Sequence, residues 1–391
     1  MVITFYNHLL INYYSQTNLN SSLLSFYNDW KFRYLRSIKG SYPLKEYLLY
    51  TLDQPTANNA ITTSEAMGYG MIIFPIMSKF DPTAKVHFTA LYNYMKSYPS
   101  IYNNNLMAWQ QIKDSNGNIV NSEPEPSSAT DGDMTISYGL ILAYKLWGEN
   151  DTINYKAEAI KRINTLMNSC VNKNDYILTL GDWVKAIPYN NFKYVTRSSD
   201  FMSYYIRKFI EFDINNSTEW KLVLKRFHSI ISKQMRRESK YNGLMPDFFI
   251  KHNDEYIAPT FKVLESIHDG DYYYNSCRIP WRYSMDILLN KVPVTLQLHT
   301  LNNWIKRETL SNPKNIKSGY YIANGFPGEP FGHTDDLSFI APFLISSLIE
   351  NGNDNWTISL WETLLNKPIT KCTFYENTLK LISMIVATGG Y

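Results

Sequence analysis

Cysteine is scarce in this chain of 391 residues: Cys170, Cys277 and Cys372 are far apart and form no C-x-x-C pair. Neither a zinc knuckle nor a disulfide framework is indicated. Charge of one sign is also lacking. The formal net charge is +3, and no basic stripe marks a nucleic-acid partner. No run of 18 apolar residues exists to span a membrane. The start, MVITFYNHLLINYYSQT, lacks the basic segment and clean apolar stretch of a signal peptide, so if the protein is exported this is a mature or trimmed form. No Ser/Gly-rich or Pro-rich tract divides the chain, which suits one large domain.

What is abundant is apolar and aromatic. Apolar residues make up 45% and aromatics 15%, with 31 Tyr and 9 Trp. Such a composition serves a Tyr-rich interior and surface, or a cleft paved with rings. Flat rings with a polar handle match the apolar faces of pyranose sugars.

Helical patterning dominates. Segments 22–38, 154–170, 200–212 and 220–237 are amphipathic, whereas 134–148 is apolar nearly all round and ends at Gly148. Further helices are predicted over 282–290, 337–350 and 377–388. Strand-like alternation is sparse. Long irregular stretches at 110–133, 181–199, 239–276 and 311–336 carry many of the Gly, Pro and acidic residues of interest. All-round apolar helices among amphipathic ones predict an inner shell covered by an outer one, with loops framing a cleft at one end. The fold class expected is all-α.

Two stretches carry carboxylates in unusual company. In ITTSEAMGYGM (61–71), Glu65 stands among small and apolar residues, three after Thr62, the spacing of a helix capping box. In SSATDGDMTISYGLILAYKLWG (127–148), Asp131 and Asp133 open a buried helix, where N-capping is the plain alternative to chemistry.

SEAMGYGM (64–71) resembles the SEGxGYGM stretch of glycoside hydrolase family 8, and SATDGDMTISYGLILA (128–143) is similar to that family's ATDGD-helix signature. LMAWQQ (106–111), TRSSDFM (196–202), GLMPDF (243–248), NSCRIPWR (275–282) and YENTLKLISMIVATGGY (375–391) follow in order, so the resemblance covers about residues 25–391. It implies an (α/α)6 barrel over 25–391, residues 1–24 being an N-terminal extension. It also implies endo-acting, inverting hydrolysis of β-1,4-linked polysaccharide by a secreted enzyme, without cofactor or metal. The partner expected is the polysaccharide or its oligosaccharides, and a monomer is expected.

Inverting hydrolysis needs an acid to protonate the leaving oxygen and a base to activate water on the opposite face of the sugar. Glu65 matches the family's general acid, and its apolar neighbours suit a raised pKa. Asp131 matches the aspartate that contacts the ring at the cleavage subsite. One subfamily has an Asp base in a D-x-x-R sequence, but here the position is Asn275, and an amide cannot serve as that base. In the subfamily with chitosanases, lichenases and some cellulases, the base is a Glu in the preceding segment, a place that Glu265 fills. Asp269 and Asp271 remain alternatives.

Substrate contacts are expected from Trp109, Trp183, Asp200, Asn275, Arg278 and Tyr69, while Trp147 and Trp281 are expected in the core. Asp200 has N-capping as its alternative, and Arg278 a structural ion pair. Acids in or next to the loops (Glu123, Glu125, Asp131, Asp133, Asp200, Asp247, Asp269, Asp271) would suit cationic chitosan if they clustered. Chitosan, mixed-linkage β-glucan and cellulose-type substrates all stay open. So do a non-catalytic glycan-binding relative and a helical-toroid polysaccharide lyase.

Overall fold

The computed structural model describes residues 8–51, 60–149, 152–350, 352 and 354–391. Twelve helices of ten or more residues run through these residues. They are α1 Gln16–Tyr34, α2 Ser64–Met77, α3 Ala84–Ser97, α4 Thr130–Trp147, α5 Tyr155–Ser169, α6 Ser203–Phe212, α7 Ser217–Arg237, α8 Ile279–Asn290, α9 Leu296–Glu308, α10 Leu337–Ser346, α11 Asp354–Asn366 and α12 Phe374–Ala387.

Odd-numbered helices are amphipathic and even-numbered ones are largely or wholly buried, except α6, which is amphipathic and half-buried. Helix α7 buries Trp220, Val223, Phe227, Ile230 and Gln234, one stripe at helical spacing. Helix α2 buries every residue except Glu65. An amphipathic helix has one stripe to bury and so lies outside, while an all-round apolar one is stable only when enclosed. Six outer helices therefore alternate with six inner ones in an (α/α)6 barrel. Helix α1 bridges the ends of the inner ring. The indole of Trp30 lies 6.3 Å from the Phe74 ring on α2 and donates a hydrogen bond to Thr378 on α12 at 2.9 Å.

The boundary expected between residues 24 and 25 falls inside α1, which buries Leu19 and Leu23 together with Phe26 and Trp30. Residues 16–24 are thus part of the barrel, and residues 1–7 of the expected extension lie outside the described residues. The predicted helix at 22–38 is displaced toward the N-terminus for the same reason.

Sheet is confined to small pieces between helices. Strands β1 Ala60–Thr63, β2 Gln110–Lys113 and β3 Ile119–Asn121 form one antiparallel sheet in the order β1-β2-β3. Strands β4 Val195–Arg197, β5 Phe248–His252 and β6 Glu255–Ile257 form another in the order β6-β5-β4. The stretches expected to be irregular at 110–133, 181–199 and 239–276 contain β2 to β6, which are three to five residues long and too short to show alternation. No helix among the described residues is long and apolar enough to cross a membrane.

Candidate active site

Helices α2 and α4 set the first side of the site. Their contact is so close that a Cβ on Gly132 would lie 2.3 Å from the Ser64 hydroxyl, and one on Gly139 2.7 Å from the Met71 carbonyl. Glycine at these two positions lets the helix starts meet, and with them Glu65 and Asp131.

Glu65 is not part of a capping box. Thr63 is the N-cap, its hydroxyl accepting from the Ala66 N–H at 3.1 Å, while Thr62 lies in β1. The Glu65 side chain keeps 20% of its surface exposed and is free to face the pocket. Its partners are the Tyr69 hydroxyl, which donates at 2.7 Å, and the Arg278 guanidinium, in direct contact. The apolar setting expected around Glu65 is therefore replaced by a phenol and a cation. Tyr69 is fully buried, so it supports Glu65 from beneath and offers no ring face to a sugar. Burial raises its phenol well above the usual range, keeping it a neutral donor.

Asp131 does not cap α4 either. The N-cap is Ala129, and Asp131 accepts from the next N–H, of Gly132, at 2.8 Å and faces Arg278 at 3.4 Å. Asp133 points the other way, to Arg162 and the Met107 N–H.

The opposite wall comes from the 258–276 stretch. Glu265 has a side chain 42% exposed, paired with Arg197 at 2.6 Å. The Asn275 amide donates to its other oxygen at 2.7 Å. The Asn275 carbonyl oxygen in turn accepts from Arg278 at 2.9 Å. A carboxamide and a guanidinium thus stand in series between Glu265 and Glu65. The two carboxyls line one pocket and are linked through these groups rather than to each other. Arg278 joins Glu65, Asp131, Asn275 and the Ser199 hydroxyl, so its ion pairing and its place in the site are the same fact.

Asp269 and Asp271 are occupied elsewhere. Asp269 accepts four backbone N–H groups, from Val263, Leu264, Glu265 and Ser266. Asp271 accepts from Ile322, Ala323 and Asn324 N–H groups and faces His268. Both are fully buried, which removes them as alternatives to Glu265 in the pocket. Asp247 lies beneath Asn275, accepting from Tyr273, Asn275 and Ser276 N–H groups and the Ser276 hydroxyl. Burial pushes it up to about 7 against the pull of those donors.

Asp200 ends a 3-10 turn and is not the N-cap of α6, which is Met202. Both of its carboxylate oxygens are buried with no hydrogen-bond partner. Burial first, and the Asp131 charge second, push it up to about 8, which favours its protonated form.

The pocket opens into a groove. On one side, Trp109, Arg197 and Glu265 are shared with a lobe lined by Tyr102, Glu123, Glu125, Leu180, Trp183 and Leu264. On the other, Tyr50, Tyr274 and Tyr375 are shared with a lobe lined by His333, Asp336, Lys371 and Glu376. Trp109, held by Glu123 at 3.1 Å, and Trp183, packed on Phe192, both line the first lobe. Trp281 is in the core, and Trp147 packs half-buried on Phe88.

Sequence reasoning did not single out Arg197, Ser199, Tyr50, Tyr274 or Tyr375. Arg197 and Ser199 sit in the TRSSDFM stretch, but a partner 68 residues away leaves no local mark.

The chain matches the family model described as "Glycosyl hydrolases family 8" over residues 15–389. It is 36% identical to a beta-glucanase of Niallia circulans, covering 97% of this chain and 87% of that protein. It is 31% identical to an endoglucanase of Bacillus sp. (strain KSM-330), covering 97% and 78%. The apo structure of a beta-1,3-1,4-glucanase from Paenibacillus sp. X4 superposes with a TM-score of 0.85 at 35% identity, covering 97% of this chain and 94% of that one. With the paired carboxylates of the groove, these likenesses place the chain among the glycosyl hydrolases of family 8, as a glycoside hydrolase acting on polysaccharide.

Proposed function

We propose that the protein cleaves β-linked glucan within the chain and with inversion, Glu65 acting as general acid and Glu265 as general base. The observation that carries this reading is the placement of the two carboxyls on one groove, with Asn275 and Arg278 between them. Inverting enzymes need carboxyls roughly 6.5–9.5 Å apart so that sugar and water fit between.

Glu65, steered by Tyr69 and Arg278, delivers its proton to the leaving glycosidic oxygen. Glu265, oriented by Arg197 and Asn275, takes a proton from water as that water attacks the anomeric carbon from the other face. Asp131 holds the sugar at the cleavage point. Asn275 is a positioning amide, and Asp200 is a buried carboxyl that feels the charge of Asp131. Internal cleavage is supported by a groove that continues on both sides of the pocket.

Neutral β-glucan is favoured over chitosan by the fate of the acids. Asp133 is paired with Arg162, and Asp269 and Asp271 are spent on backbone N–H groups. The carboxylates left in the central pocket, Glu65, Asp131 and Glu265, face Arg197 and Arg278. Little net negative field remains there to collect a polycation. The names of the beta-glucanase and beta-1,3-1,4-glucanase relatives point the same way. Cleavage takes place outside the cell, where an insoluble or polymeric glucan is found.

The test is reducing-sugar release from lichenan, carboxymethylcellulose and soluble chitosan, with NMR of the first product. Lichenan should be the preferred substrate and the new reducing end should be the α-anomer. Turnover of chitosan alone would overturn the substrate reading, and a β-anomer would overturn inversion.

A further inference from the structure

The loop that carries Glu265 has little apolar anchoring. Phe261, Leu264 and Ile267 are 57%, 36% and 69% exposed, and between the buried Ala258 and Asp269 only Val263 packs on a hydrophobic cluster. Residues 258–268 also form no helix or strand. What the segment has is one buried carboxylate. Oδ2 of Asp269 accepts the N–H groups of Val263, Leu264 and Glu265 at 2.8, 2.7 and 3.1 Å, and Oδ1 accepts that of Ser266 at 2.8 Å. Successive N–H groups converging on an anion make a concave nest, and bonds to an ionised acceptor are about twice as strong as neutral ones.

Asp269 is itself fixed to the barrel. Its carbonyl accepts the Phe248 N–H of β5 at 2.8 Å. The following Gly270 is pressed so close to the Pro259 carbonyl that a Cβ would lie 1.7 Å from that oxygen. A rigid line therefore runs from the β4–β5 sheet through Asp269 to the backbone of Glu265. Arg197 and Asn275 orient the head of the Glu265 side chain, but its root is set by Asp269.

We propose that Asp269 is a positioning residue for the base: its carboxylate brackets the backbone on both sides of Leu264 and fixes where Glu265 stands relative to the attacking water. The inference rests on Glu265 being the base. Loss of the bracket should act on the chemical step, since Asp269 is absent from the groove walls and touches no subsite.

The experiment is a double-mutant cycle on glucan hydrolysis. Asp269→Ala should lower kcat about 10²-fold, the loss expected for an ångström of misplacement, with KM within about threefold. Asp269→Asn keeps an acceptor for most of the four donors and should lose about tenfold or less. In a Glu265→Ala background, azide can attack the anomeric carbon in place of water. The new C–N bond forms as the C–O bond breaks, the leaving oxygen takes the Glu65 proton, and azide has no proton to lose to a base. Azide-supported turnover should then be the same within about threefold with or without Asp269→Ala, because nothing remains to be positioned.

Equal losses in both backgrounds would overturn the proposal, showing a merely structural part for Asp269. So would normal kcat in Asp269→Ala while Glu265→Ala is dead. Normal turnover in Glu265→Ala would instead sink the base assignment itself. If Asp269→Ala fails to fold, Gly270→Ala displaces the same bracket with the carboxylate retained. It should lower kcat with KM kept, and an unchanged kcat there would count against the proposal.

Discussion

Two regions of the molecule each present a carboxylate to the groove, and they do it by opposite means. Glu65 stands on the first turn of an inner helix, the one residue of α2 that is not buried. Its place is dictated by helix packing, where Gly132 and Gly139 let two backbones approach without side chains between them. Glu265 stands on an exposed, irregular segment whose shape is dictated by a single buried acid. The comparison teaches that a site can draw one group from close packing and its counterpart from a polar bracket. The first is sensitive to volume and the second to charge.

The largest effect expected is on the chemistry. Glu65→Gln should cut kcat on β-glucan by about 10²–10⁴-fold while leaving the thermal midpoint near its original value, since the residue adds little to the core. Reducing-sugar assay and calorimetry on one preparation check both halves. Wild-type turnover would remove Glu65 from the acid role. Glu265→Gln should approach the same loss by the same assay, and survival of activity there would break the symmetry of the pair.

Breaking the helix side by volume comes next. Gly132→Ala puts a methyl group where the Ser64 hydroxyl lies, and overpacking of this kind costs about 1–3 kcal/mol. Denaturant unfolding should show that loss, with activity reduced as Glu65 and Asp131 are pushed apart. A neutral result would mean that the α2–α4 seam is more pliable than its contacts indicate.

The smallest effect concerns pH. Asp200 is raised to about 8 by burial and by Asp131. Between its unfolded pKa near 4 and about 8, the folded protein keeps a proton that the unfolded chain releases, so stability falls as pH rises through that window. Asp200→Asn should flatten this slope: relative to wild type, its melting temperature should gain between pH 5 and pH 8. Parallel curves for the two proteins would show that Asp200 is ionised in the folded state.

Legibility differed in the same way between the two regions. Eight of the twelve long helices declared themselves, because the 3.6-residue period is local and repeats, whereas α2, α3, α9 and α11 were not singled out. Helix α1 was placed several residues late: Leu19 and Leu23 are buried in it, and it packs against α12, which lies far along the chain. Capping, the alternative weighed for Glu65, Asp133 and Asp200, holds at none of them. Spacing shows which residues can cap, while neighbours such as Arg278 and Arg162 decide where a carboxylate turns. For the proposed base, the family resemblance pointed to Glu265, with Asp269 and Asp271 left as alternatives that no local pattern could remove.

By itself, the sequence determined the shells of helices and the resemblance to a family of glycoside hydrolases, since both rest on patterns that short stretches carry whole. Only the tertiary structure decided which acids face the groove. A carboxylate turned toward backbone N–H groups and one turned toward a substrate look identical in the chain, and what separates them is the set of donors that folding brings within 3 Å.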